Sequence, residues 1–185
     1  MPGDLSESLE ALNPATSKSH LNMSVPHTVR SGHGMESRRS IFLSAHFDAI
    51  AHATEDIQKV EQAVRSLIEL VSTGNVNLTR RYLKGHYGNM IATISAKLTA
   101  KELSSDSLRA LSQQLTESDR RFLSEDMRNC IDEDGSLYLR FDKQEALMGN
   151  VKLYQGDPIR MKLKFASTRD PETILKACRE SGLIL

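Results

Sequence analysis

Ile159-Arg160-Met161-Lys162-Leu163-Lys164-Phe165 alternates apolar and basic residues without a break. In a β-strand, successive side chains point to opposite faces. Ile159, Met161, Leu163 and Phe165 therefore line one face, and Arg160, Lys162 and Lys164 the other. The first face packs on a core. The second presents three cations in a row, and such a row on an open sheet face can hold a phosphate backbone.

The same period recurs upstream. Ile41–Ile50 reads as a strand, with Ile41, Leu43, Ala45 and Phe47 on one face and Phe42, Ser44, His46 and Asp48 on the other. Leu78–Lys84, Met90–Leu98 and Ser136–Phe141 are further strands. Between them the spacing turns helical. Thr54 offers an N-cap, with Glu55 and Asp56 in the first turn of a helix that ends at Gly74-Asn75. Ser104–Leu115 and Thr116–Cys130 read as two helices, with Leu108, Leu111, Leu115, Phe122, Leu123 and Met127 facing inward. Asp142 caps a short helix through Met148 that Gly149 closes, and Asp170-Pro171 starts a last helix over 170–182. The order β-α-β-β-α-α-β-α-β-α predicts an α+β fold. The fold is expected to have two layers, a mixed and mostly antiparallel sheet with helices on one face and the other face open.

Residues 1–38 hold Pro2, Pro14 and Pro26, many serines and no sustained periodicity. They are expected to be a disordered tail, with a single domain over 39–185. Met23 and Met35 precede the ordered pattern and are candidate start sites. The chain carries 24 Lys+Arg and 24 Asp+Glu, so an anion-binding surface must arise from segregation of charge. Cys130 and Cys178 match no metal-ligand spacing and read as reduced thiols. No apolar run approaches the ~20 residues that span a bilayer, and a secretory signal is not expected. The expected location is cytoplasmic.

On the strand Ser136–Phe141, Tyr138 and Arg140 share a face opposite Leu137, Leu139 and Phe141. If this strand neighbours Ile159–Phe165, they join the cationic face, and Lys143 stands just beyond. Cations beside an aromatic ring suit a nucleic acid, although alternating lysines also keep a strand soluble. Gly85-His86-Tyr87-Gly88, preceded by Lys84, can turn backbone N–H groups toward an anion; the same pattern fits a tight hairpin. His46, Asp48 and His52 are the residue types of a metal site. Positions 46 and 52 are about 20 Å apart along a strand, too far to share one ion. There is no GxSxG, Walker A or GxGxxG motif. The cluster Asp132-Glu133-Asp134 lacks the spacing of a calcium loop.

Three segments in order carry a resemblance: His52-Ala53-Thr54-Glu55-Asp56, Gly85-His86-Tyr87-Gly88-Asn89, and Leu137-Tyr138-Leu139-Arg140-Phe141-Asp142-Lys143-Gln144 with Gly149 after it. Over roughly 39–165 the chain resembles the archaeal RNA-binding proteins predicted to be exosome subunits. The resemblance implies a fold similar to the ribosomal protein that binds five-S RNA, an archaeal source and an RNA-processing context. It brings no catalytic residues. The expectation is a non-enzymatic RNA-binding protein without cofactor or metal. Arg140, Arg160, Lys162 and Lys164 would contact phosphates, Tyr138 and Tyr87 would stack, and Lys84, His86 and Lys143 would flank them. The alternative is an interaction module that docks a protein partner, such as another RNA-processing protein, on its open sheet face.

Overall fold

A computed structural model describes residues 41–85, 88–166 and 169–185. The expected tail over 1–38 lies outside them, as do His86 and Tyr87. The strands are β1 Phe42–Ala51, β2 Thr79–Lys84, β3 Met90–Thr99, β4 Ser136–Phe141 and β5 Ile159–Phe165. The helices are α1 Ile57–Val71, α2 Ser107–Gln114, α3 Glu117–Asp126, α4 Lys143–Leu147 and α5 Pro171–Glu180, with a 3₁₀ helix at Met127–Cys130. The strands form one sheet in the order β2-β3-β1-β5-β4. All four pairings are antiparallel, so the sheet holds no parallel pair among the described residues. No helix among these residues is long and apolar enough to cross a membrane.

One face of the sheet and the helices share a single core. Ala45, Phe47 and Ala49 of β1, Ala92, Ile94, Ala96 and Leu98 of β3, and Met161 and Leu163 of β5 are buried there. Against them α1 lays Val60, Val64, Leu67, Ile68 and Val71, one helical stripe read at intervals of three and four residues. α2 and α5 add Leu108, Leu111, Ile174, Leu175 and Cys178. Burial holds the Cys178 thiol up at about 12, so it stays protonated.

The helix starts follow from side-chain chemistry. Asp142 accepts from the backbone N–H groups of Gln144 and Glu145, and Asp170 from those of Glu172 and Thr173. Gly149, at φ +82°, closes α4 in the left-handed region that its lack of a Cβ permits. The start of α1 differs from expectation. The Glu55 N–H bonds back to the His52 carbonyl at 2.9 Å, so residues 52–55 form a turn. Asp56 becomes the cap, accepting from Gln58 and Lys59, and Glu55 is freed to reach elsewhere.

β1 also departs from simple alternation. Phe42 pairs with Phe165 and Ser44 with Lys164, so two steps on β1 match one on β5. Leu43 is the extra residue of this bulge and turns out to solvent. Phe42 turns inward, fully buried, and meets the Phe165 ring edge-on at 5.3 Å between centroids. Leu43 inside and Phe42 outside, as strict alternation predicts, is therefore wrong. Phe122, expected inward on α3, is 49% exposed, while its neighbour Leu123 takes the core position.

Candidate nucleic-acid interface

Directly paired residues in an antiparallel sheet point to the same face, so the register maps the open face row by row. Lys97, His46, Lys162 and Tyr138 form one row across β3, β1, β5 and β4. Ser95, Asp48, Arg160 and Arg140 form the next, and Thr99, Ser44, Lys164 and Ser136 the row on the other side. Strands are about 4.8 Å apart, so each row spans roughly 14 Å. β4 and β5 are neighbours, as the cationic-face expectation requires, and Arg140, Arg160, Lys162, Lys164 and Tyr138 converge on it.

Their electrostatics differ. Arg140 and Arg160 stand directly opposite each other. Arg140 donates to the Gln155 amide oxygen at 2.7 Å, a neutral partner. Among the described residues neither arginine forms an ion pair, nor do Lys164, Lys97 or Arg81. Lys162 is held. Its Nζ lies 4.9 Å from the Tyr138 ring centroid and 3.3 Å from Asp132 Oδ2, to which the Tyr138 hydroxyl also donates at 2.9 Å. The Tyr138 hydroxyl first, then Asp132, keeps the Lys162 ammonium above its ordinary value against the pull of burial. Burial pushes the Asp132 carboxyl up. Hydrogen bonds from the Ser136 amide, Tyr138 and Lys162 outweigh it and leave Asp132 below the usual carboxylate range. A depressed carboxylate contributes its stability above its unfolded value and loses it as pH falls through the folded one, so this lock is closed at neutral pH.

Two expected contacts are placed elsewhere. Lys143 is 8% exposed and points into the protein. Its Nζ donates to the Ile50 carbonyl at 2.6 Å, to Glu55 Oε2 at 2.9 Å and to Asp157 Oδ2 at 2.5 Å. A flanking contact is thus corrected to an internal ion pair, because the turn over 52–55 delivers Glu55 to it. His52, Glu55 and Asp157 bring a metal-capable ligand set together, but the Lys143 ammonium already stands as the cation between the two carboxylates. Lys84 is exposed on the far edge strand, opposite Met90 and in the phase of Ala92 and Ile94. That is the helix side, where Arg80 of the same strand pairs with Glu61 of α1. Lys84 therefore does not join the cationic face.

Lys97, His46 and Arg81 join the open face without having been singled out as nucleic-acid contacts. For Lys97 the signal was available, since Thr93, Ser95, Lys97 and Thr99 alternate with buried Ala92, Ile94, Ala96 and Leu98. What the sequence lacks is the strand order that sets this polar face next to β1 and β5.

An open antiparallel sheet whose exposed face gathers cations without ion pairs defines a nucleic-acid-binding class of protein. The chain belongs to the family described as RNA binding, whose model matches residues 44–165. It is 35% identical over 133 residues to the RNA-binding protein PAB1135 of Pyrococcus abyssi, covering 70% of this chain and 86% of that one. It is similar to the crystal structure of AF2318 from Archaeglobus fulgidus, a DUF54 protein, with 29% identity and a TM-score of 0.59 over 76% of this chain and 99% of that one. The DUF54 protein Mth689 from Methanothermobacter thermautotrophicus is 27% identical, with a TM-score of 0.58 over 76% and 97% of the two chains.

Proposed function

We propose that this protein binds RNA without catalysing a reaction, and that the phosphates lie on the open sheet face across β3, β1, β5 and β4. The carrying observation is the Arg140–Arg160 pair. Like charges directly opposite on a sheet destabilise it, and neither arginine forms an ion pair among the described residues, although Asp48 of β1 stands directly across from Arg160 on its other side. An anion laid across the two relieves the repulsion and accepts their hydrogen bonds. Several carboxylates of a chain with zero net charge are engaged off this face, while Asp48 and Asp132 stand on it. Asp56, Asp142 and Asp170 cap helices, and Glu61 and Glu172 pair on other surfaces.

Arg140, Arg160, Lys164 and Lys97 carry the phosphate contacts. Four neutralised phosphates of single-stranded RNA give a log K against log salt slope of about −3. Replacing Arg140, Arg160 and Lys164 together by Ala should flatten that slope to about −0.7, read by fluorescence anisotropy across a salt series. Equal slopes in parent and variant would remove the sheet face from the reading. Lys162 is a reserve contact. Asp132→Ala releases it, so the slope should steepen by about 0.7; an unchanged slope would mean that Lys162 already meets the RNA.

The exosome or RNA-processing context implied by the family resemblance is a question of partners. Co-purification with and without nuclease tests it: partners lost on nuclease treatment are bridged by RNA. Partners that survive are docked on the protein, and their dependence on Arg140 and Arg160 tells whether the same face is used.

A further inference from the structure

Beside β4, where the cationic face ends, a cavity of about 320 Å³ lies between the α3–3₁₀ segment and the strand. Phe122, Asp126 and Asn129 form one wall, and Tyr138, Arg140 and Gln155 the other. That volume is at the lower end of small-molecule sites, about 300–1,000 Å³, and suits one planar heterocycle better than an extended ligand. Resting on the RNA reading above, we propose that this cavity takes a single unpaired nucleobase from the strand whose phosphates lie on the sheet, and selects bases that carry an exocyclic amine.

Three observations converge. Phe122 is 49% exposed at the cavity on a helix of otherwise mostly polar residues, a ring available for base stacking. The hydrogen-bonding groups in the walls keep capacity to spare. Asn129 Nδ2 donates to Asp126 Oδ1 at 2.5 Å, which leaves Asp126 Oδ2 as an acceptor. Gln155 accepts from Arg140 through its oxygen, which leaves its amide N–H groups as donors. Arg140 belongs to both the cavity and the phosphate face, so a strand crossing the sheet has its next base at the mouth. A carboxylate acceptor pairs with the amine of cytosine, and uracil presents a carbonyl at that position. Cys130 also lines the cavity, and burial, then Asp126, pushes its thiol above the ordinary value, with Arg140 pulling the other way. It is a neutral wall there.

The test uses the full chain and labelled single-stranded oligomers of cytidine and of uridine, equal in length, in anisotropy titrations over a salt series. The parent should prefer cytidine by about tenfold. Phe122→Ala should weaken cytidine binding by about tenfold with the salt slope unchanged. Asp126→Asn, which replaces an acceptor by a donor at constant shape, should erase the preference. An oligomer with abasic positions keeps its phosphates and should bind the parent as weakly as the intact one binds Phe122→Ala. A parent with a slope near −3 but no base preference, or a Phe122→Ala protein that binds as the parent does, overturns the pocket and leaves the phosphate face standing. A parent that binds neither oligomer at low salt overturns both.

Discussion

Phe47→Ala should lower the unfolding free energy by about 4 kcal/mol, near the middle of the range for a buried phenylalanine. Phe47 is fully buried on β1, the central strand of the sheet. Its cross-strand partners are Ala96 on β3 and Met161 on β5. Ala96 has no atoms to move into the vacated volume, and a methionine can fill only part of it. The remaining cavity adds its own cost to the lost transfer energy. For a domain of this size the midpoint of thermal unfolding should fall by roughly 10 °C. Urea titration checks the figure, with an unchanged slope showing that the unfolded state is the same. A loss under about 1 kcal/mol would place Phe47 outside the core. RNA affinity measured below the melt should keep its salt slope, because the cations lie on the opposite face of the same strands.

That separation of faces is the part of the fold most legible in the sequence. β4 and β5 show it outright, since period two assigns Leu137, Leu139, Met161 and Leu163 inward and Arg140, Arg160, Lys162 and Lys164 outward. The caps Asp142 and Asp170 were legible for the same kind of reason: a short acceptor ahead of a helical stripe has few other uses. The bulge at Leu43 was not, because the two-to-one match belongs to the pair of strands and exists only once β5 is beside β1. Nor was the sheet order, which brings Lys97 and His46 into line with Lys162. Phe122 misled in the opposite sense. Apolar character on a helix suggests the core, yet Leu123 alone reaches it from α3, and the ring is left at a cavity beside the cations. Asp132 reads locally as a solvated turn, and it does bind the turn amides of Asp134 and Ser136. Its second oxygen locks Lys162 and Tyr138 across 30 and 6 residues of chain, a contact no local pattern encodes.

Lys143→Ala should cost about 2–3 kcal/mol and leave RNA binding alone. At the N-terminus of α4, next to the Tyr138-x-Arg140 strand, Lys143 reads from sequence as one more surface cation. Its burial is created by Ile50 and Glu55, 93 and 88 residues away, and by Asp157. All three ammonium protons are satisfied by these acceptors. Removing the cation leaves the Ile50 carbonyl without its donor and two carboxylates facing each other. Breaking a fully buried pair in this way costs about 3–5 kcal/mol. Glu55 and Asp157 retain partial contact with water, which brings the expected loss to about 2–3. Lys143→Met restores most of the stem's volume without the charge. A loss close to that of the alanine variant assigns the effect to the ion pair, and recovery to the parent value would assign it to packing. The salt slope of RNA binding then separates the two placements of this residue. An ammonium held between Glu55 and Asp157 neutralises no phosphate, so both variants should keep the parent slope of about −3. A slope flattened by about 0.7 would return Lys143 to the RNA-binding face.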